Sequence, residues 1–211
     1  MNIFLGKNVD VLEQMQAIVG VDLVITESRP DMSAMRSACK SSNIGLRVLG
    51  PHQQLADVLT NSADLVVIAS FSTILTQDII SRCGLILNFH GGLIQTCRGR
   101  HPLPSAILNH HELMGITCHI IDSEKIDAGP TVAQIELPLD YDANFKRNDD
   151  QLLGQFPKLA AMVFKNYKKT GKVVAKPSVL EPGGYYPPVT HEEMQRIFAV
   201  SSLNDLFRTD P

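Results

Sequence analysis

Nowhere in this 211-residue chain does an apolar run approach the ~20 residues that a bilayer requires. The opening residues, MNIFLGKNVD, also lack the charged start, long apolar stretch and small-residue cleavage site of a signal peptide. A cytoplasmic protein with no membrane partner is expected. A basic excess is missing too: the net charge of −3 and a pI near 6.1 leave nothing to neutralise a phosphate backbone, which excludes bulk nucleic acid as a partner. The four cysteines, Cys39, Cys83, Cys97 and Cys118, contain no CxxC pair and no tight zinc-like spacing, so free thiols are expected, with neither disulfide nor structural metal. There is no internal repeat and no low-complexity tract. With 44% hydrophobic residues the chain is not disordered, and its length allows one domain with an appendage.

Short apolar runs alternate with amphipathic stretches through the first two-thirds, the pattern of βαβ units around a buried parallel sheet. Strands are predicted at Asn2 to Leu5, Val21 to Thr26, Ile44 to Leu49, Asp64 to Ser70 and Leu85 to Phe89. Helices are predicted at Val9 to Val19, Ser33 to Ser41, Gln53 to Thr60 and Ile74 to Arg82. A helix near Pro104 to His111 follows, then two alternating stretches, Gly115 to Asp122 and Thr131 to Leu139, which read as antiparallel strands extending the sheet. Apolar residues at helical spacing over Asp149 to Thr170 predict one long closing helix that Pro157 merely interrupts at its start. The remainder, through PSVLEPGGYYPPV to a short helix at His191 to Val200, reads as an arm. The expected fold is therefore α/β, a Rossmann-like mostly parallel sheet with helices on both faces. A catalytic domain at 1–170 and a C-terminal arm at 171–211 divide it.

The stretch LILNFHGGLIQTCRGRHPLPSAI carries the most chemistry. Asn88 and His90 lie two apart at the end of a buried strand, so alternation points both to one side, about 6.6 Å apart along the chain. Ligands of open α/β sheets bind at that end of the strands. Further on, Asp127 precedes Ala128-Gly129-Pro130 in a tight turn that can direct a carboxylate back toward His90. His110 and His111, at a helix end, are read as capping carbonyls. His119, among apolar neighbours in a strand, is read as a core residue with no catalytic part.

Asn88-x-His90, Arg98-Gly99 with Pro102 and Ala106-Ile107, Gly115-Ile116-Thr117 and Asp127-x-Gly129, in that order, resemble the formyltransferase family that uses 10-formyltetrahydrofolate. The resemblance is strongest over residues 64–139. It implies that Asn88, His90 and Asp127 are catalytic: His90 takes the proton of an attacking amine, Asn88 donates to the developing oxyanion, and Asp127 orients the ring and stabilises the imidazolium, without a metal. It places folate near Phe71, Ile74 and Leu75 and near Ser123 and Ile126. One departure stands out. The family carries a Ser-Leu-Leu-Pro-like run after the histidine, whereas here Gly91-Gly92-Leu93-Ile94-Gln95 follows, which is expected to loosen the loop.

Within the family, the first strand leads into Leu5-Gly6-Lys7-Asn8-Val9 and not the Gly-Ser-Asn loop of glycinamide ribonucleotide formyltransferases. The 62 residues after Asp149 are too few for the C-terminal β-barrel of methionyl-tRNA formyltransferases, and no space is expected for the regulatory domain of the related hydrolases. The tail PGGYYPPVTHEEMQRI is similar to the Tyr-Tyr-Pro segment of sugar N-formyltransferases. This branch implies a nucleotide-linked amino sugar as partner beside folate, with a dTDP-linked 3-amino or 4-amino dideoxy sugar as the expected substrate, made for surface polysaccharide. Lys7, Arg29 and Arg98 are candidate diphosphate contacts. Tyr185 and Tyr186 either stack on a nucleobase or close a homodimer interface built by the arm, which can alternatively fold back over its own pocket. Phosphoribosylglycinamide formyltransferase and a catalytically degenerate folate or sugar-nucleotide binding module are the alternatives.

Overall fold

The computed structural model describes residues 1–50 and 52–208; residues 209–211, the end of the expected arm, lie outside the described residues. Seven strands form one sheet in the order β3-β2-β1-β4-β5-β6-β7. They are β1 (Asn2–Gly6), β2 (Leu23–Glu27), β3 (Gly45–Leu49), β4 (Ala63–Ala69), β5 (Cys83–His90), β6 (Leu113–Ile120) and β7 (Thr131–Pro138). The first five run parallel, while β6 pairs antiparallel with β5, and β7 with β6. This is the expected Rossmann-like α/β fold.

Strand alternation builds a core on each face. Phe4, Val24, Leu65, Val67, Leu87 and Phe89 point one way, into the larger core. That core is closed by α1 (Val9–Ile18) and α7 (Phe156–Thr170). Ile3, Leu5, Ile25, Val66, Ile68 and Ile86 point the other way, under α3 (Leu55–Val58) and α4 (Gln77–Ser81). The remaining helices are α2 (Ser33–Ser41), α5 (Pro102–Leu108), α6 (Phe145–Leu153) and α8 (His191–Ala199), with a 3-10 turn at Leu203–Phe207. Burial on both faces explains why β4 reads ADLVVIA, nearly all apolar.

Several boundaries differ from the sequence reading. The single helix expected over 149–170 is two, α6 and α7, because Pro157 has no N–H to continue α6 and instead sits in the first turn of α7, where none is needed. Gly171, left-handed at φ 67°, ends α7 by donating to Tyr167 O. The helix expected from Ile74 begins only at Gln77, after Thr76 at its N-cap, so Ile74 lies in the preceding loop and is 61% exposed. The helix expected over 53–60 is one turn, and α5 stops at Leu108 before a left-handed His110.

The sheet order reverses between β1 and β4, and the ends of those two strands leave that crevice in close contact. Gly6 adopts φ +134°, and a Cβ there would lie 2.0 Å from Ala69 O, the carbonyl that accepts from Lys7 N. Gly6→Ala is expected to destabilise the fold by about 2–5 kcal/mol, the sum of a forbidden φ and an overpacked contact. Urea unfolding of the two proteins measures it, and a change below about 1 kcal/mol would contradict the packing described.

Candidate active site

Asn88 and His90 project from the end of β5 on the face of the smaller core, while the intervening Phe89 packs on Phe164 in the larger one. The antiparallel register sets His119 of β6 directly opposite Asn88. The loop between β6 and β7 then delivers Asp127, held in a left-handed conformation at φ 47° that a non-glycine residue adopts only at a cost. Two residues later Gly129 passes so close to β6 that a Cβ would lie 1.8 Å from Ile120 O.

The Asp127 carboxylate is the centre of this arrangement. Its Oδ1 accepts from Asn88 Nδ2 at 3.2 Å and lies 3.5 Å from both His90 Nδ1 and His119 Nε2. Its Oδ2 accepts from Gly99 N at 3.1 Å. Burial alone would raise the Asp127 pKa, but the two imidazoles and the Gly99 N–H outweigh it and hold the carboxyl down at about 2. Burial is the larger influence on His90 and pushes its pKa below 6.5, with Asp127 pulling the other way, so the ring is neutral at pH 7.

Hydrogen-bond partners assign the tautomers. A carbonyl only accepts, so His90 Nε2, 3.1 Å from Cys97 O, carries the proton and leaves Nδ1 as the basic atom facing Asp127. By the same argument His119 donates from Nδ1 to Ile120 O at 3.1 Å, and its Nε2 accepts from Asn88 Nδ2 at 3.0 Å. Both protons of the Asn88 amide are thus engaged, by His119 and Asp127. Asn88 Oδ1 is left to accept, and donation to an oxyanion requires one of those two bonds to be released.

His119 is the residue that sequence reasoning missed. Its apolar neighbours do mark it as interior, and it is 1% exposed, but its partners are Asn88 and Asp127 and not the core. His110 and His111 do not cap carbonyls with their rings either. His111 Nε2 pairs with Tyr186 Oη at 3.0 Å, and His110 packs on Phe207 and Tyr141. The loop after His90 is tight, contrary to expectation. A Cβ on Gly92 would fall 2.6 Å from Cys97 O and 2.7 Å from His90 Nε2, and Thr117 Oγ1 donates to Gly92 O at 2.7 Å. Cys97 donates its thiol to Pro102 O, and burial pushes that thiol up to about 12, so it is no nucleophile.

The two segments expected to hold folate are brought together, with Glu124 Oε1 accepting from Gln77 N at 2.6 Å. Ile74 and Ile126 are exposed on them, Phe71 and Ser123 half-buried. Leu75, however, is 5% exposed within the smaller core and has no face to offer a ligand. At the ends of β1 and β2, Lys7 stands near Arg29 and Arg100. Burial lowers the Lys7 pKa first, then Arg29, and Arg100 lowers it further against the opposing pull of Glu27. Arg29 pairs with Glu27 at 3.5 Å. Arg98 does not join them. It is 8% exposed and its guanidinium donates to the carbonyls of Ile94, Gln95 and Glu181, which removes it as a diphosphate contact. Arg100, beside Gly99, is the exposed cation that sequence reasoning passed over. Tyr185 is 49% exposed, and its ring lies beside Gly99, 3.7 Å from where a Cβ would stand. Among the described residues no helix is long and apolar enough to cross a membrane.

The sequence model of the formyl transferase family matches residues 5–159. A methionyl-tRNA formyltransferase of Roseiflexus sp. is 30% identical over 158 residues, 67% of this chain and 48% of that protein. One from Lysinibacillus sphaericus is 26% identical over 147 residues, 63% of this chain and 47% of that protein. The chain thus spans about half the length of these curated relatives. Among solved structures, the phosphoribosylglycinamide formyltransferase of Bacillus halodurans superposes with a TM-score of 0.68 at 20% identity, over 80% of this chain and 96% of that one. An N-formyltransferase of Helicobacter canadensis, in complex with folinic acid and dTDP-3-aminofucose, gives 0.67 at 16% identity over 88% and 70%. At these identities the superpositions establish the fold.

The site's electrostatics fix how stability responds to acid. Asp127 and His90 both have folded values below their unfolded ones, 3.8 and 6.5, so the unfolded chain binds more protons as pH falls. The His90 contribution is present above about pH 6.5 and declines below it, and the Asp127 contribution is lost between about pH 4 and 2. In NMR titration His90 is expected to protonate below 6.5, and in Asp127→Asn lower still, since the carboxylate that raises it is gone. A His90 value above 6.5 would show that the Asp127 charge and not burial dominates at this ring.

Proposed function

The chain belongs to the formyl transferase family, and from that premise we propose that it moves a formyl group from 10-formyltetrahydrofolate to the amine of a nucleotide-linked amino sugar, with His90 as base and Asn88 and Asp127 as its partners. The observation that carries this reading is the neutral His90, whose basic Nδ1 faces a carboxylate held ionised 3.5 Å away. In the reaction a C–N bond forms between the amine and the formyl carbon, the bond to N10 breaks, and the amine proton ends on the departing nitrogen. His90 Nδ1 takes that proton and returns it. Asp127 Oδ1 stabilises the imidazolium and, in turning to it, releases an Asn88 N–H to the oxyanion, so base and oxyanion donor act together. No step calls for a metal. Ile74 and Ile126, exposed on segments joined by the Glu124–Gln77 bond, offer the apolar walls a pterin requires.

For the acceptor, a dTDP-linked 3-amino or 4-amino dideoxy sugar, serving surface polysaccharide, is supported by three features. Lys7, Arg29 and Arg100 gather at the switch crevice with Glu27 as the carboxylate among them, a setting for a diphosphate. Tyr185 presents an exposed ring beside Gly99, suited to stacking on a base. The Helicobacter canadensis protein has a dTDP amino sugar bound. A second reading, phosphoribosylglycinamide as acceptor, is favoured by the 96% coverage of the Bacillus halodurans chain. The division into a catalytic unit at 1–170 and an arm at 171–211, and a homodimer, stand as proposals on the same footing. Light scattering of the full chain decides the dimer, which a monomer rejects.

The test is formylation of a panel of dTDP-amino sugars, phosphoribosylglycinamide and methionyl-tRNA, read by mass spectrometry in the presence of a chelator. A dTDP-amino sugar is expected to be turned over at the highest kcat/KM, and His90→Asn to lower kcat by about 100- to 10,000-fold with little change in KM. Preference for either other acceptor overturns the substrate class, and folate binding without turnover of any acceptor identifies a binding module.

A further inference from the structure

We propose that Cys97–Gly99 forms a bracket holding the two reacting side chains in register, and that Arg98, latched to residues 181–189, is the positioning residue that sets it. The inference rests on the reading of His90 and Asp127 as the reacting pair. At one end of the bracket, Cys97 O accepts from His90 Nε2 and so fixes Nδ1 as the base. At the other, Gly99 N donates to Asp127 Oδ2. Arg98, between them, contacts neither.

What Arg98 does contact is the C-terminal segment and the loop beneath it. Its backbone N donates to Gly184 O at 2.7 Å and its carbonyl accepts from Tyr186 N at 3.0 Å. Its Nη1 donates to Ile94 O at 2.8 Å and Gln95 O at 3.1 Å, while Nη2 reaches Glu181 O at 3.2 Å. A buried guanidinium held by carbonyls alone acts as a joint: its rigid fork binds the loop on one side and the tail on the other, and charge-assisted bonds of this kind are roughly twice as strong as neutral ones. The tail lies against the very peptide that holds Asp127. Gly99 adopts φ +113°, and a Cβ there would stand 2.4 Å from Tyr186 O. A shift of the tail therefore moves the Gly99 N–H and the Cys97 carbonyl together, altering the carboxylate and the imidazole tautomer at once. Misplacement of about 1 Å at reacting groups costs on the order of 100-fold in rate.

Arg98→Lys keeps the charge and loses the fork. In the full chain, kcat is expected to fall about 10- to 100-fold while KM for both substrates stays within about threefold. The ¹⁵N signals of the His90 ring are expected to move from a single Nε2–H form toward a mixture of tautomers. Gly184→Ala, whose Cβ would meet Gln95 O at 3.0 Å, displaces the tail by tenths of an ångström without touching Arg98, and is expected to act in the same direction more weakly. It serves if the lysine variant does not fold. A lower thermal midpoint with unchanged kcat and an unchanged ring spectrum would overturn the proposal, because a merely structural clamp predicts that. The ring spectrum needs no turnover, so it judges the bracket even if no acceptor is formylated, an outcome that would refute the functional reading instead.

Discussion

A charged carboxylate with only a tenth of its surface exposed is the constraint around which this structure is arranged. Taking Asp127 out of water costs several kcal/mol unless its oxygens are fully engaged. Here the two oxygens are served from different parts of the chain, Oδ1 by the Asn88 amide of β5 and Oδ2 by the Gly99 N–H of the loop after it, while His119 of β6 holds that amide in place. No short segment can supply these groups, so the carboxylate stays ionised only if the sheet, the loop and the β6–β7 turn are all in place. The left-handed backbone at Asp127 and the close passage of Gly129 over Ile120 O are the local cost of bringing the carboxylate to that point.

The two imidazoles beside it are told apart by what their remote nitrogens meet. Both meet carbonyls, but through opposite ring atoms: Nε2 in His90 and Nδ1 in His119. The consequence is a division of labour. His119 turns a lone pair to Asn88 and fixes the orientation of that amide, whereas His90 turns a lone pair toward Asp127 and is the ring free to take up a proton. A reversed amide would set its oxygen against the carboxylate, so Asn88 orientation follows from Asp127 ionisation and the His119 tautomer jointly.

Much of this was legible in the sequence, and the reasons for what was not are specific. Alternation in ILN and FH placed Asn88 and His90 on one side of a strand, because a period of two depends on nothing beyond the strand itself. It also marked His119 as interior, but what sits opposite a strand residue depends on register, set here across the whole span between β5 and β6, and no local pattern encodes it. Core packing was open to Phe71, Ile74 and Leu75 alike, and that it falls to Leu75 was not legible, since the start of α4 at Gln77 turns Leu75 inward while leaving Ile74 out. Arg98 was read as a free cation because its third carbonyl partner, Glu181, lies 83 residues away. Pro157 was legible only as an interruption near the start of one helix, whereas its missing N–H divides the segment into α6 and α7.

The C-terminal segment shows why composition alone could not settle its role. Residues 181–189, rich in Pro and Gly, cannot form a helix or a central strand and have no core of their own. They are nevertheless fixed at both ends: upstream by the Thr131–Lys176 bridge to β7, and downstream by Ile197 and Leu203, both fully buried in the larger core. Between those anchors the same glycines that deny the segment regular structure let it lie flat. Gly184 lies so close to Gln95 and Thr96 that a Cβ would stand only 3.0–3.1 Å from their backbone, and Gly99 meets Tyr186 with no side chain between them. A segment of that kind contributes little burial of its own, so its order depends on the core that holds its ends and on the hydrogen bonds it makes to Arg98 and Gln95. Stability of the larger core and geometry at His90 and Asp127 are in this way mechanically connected through residues 181–189.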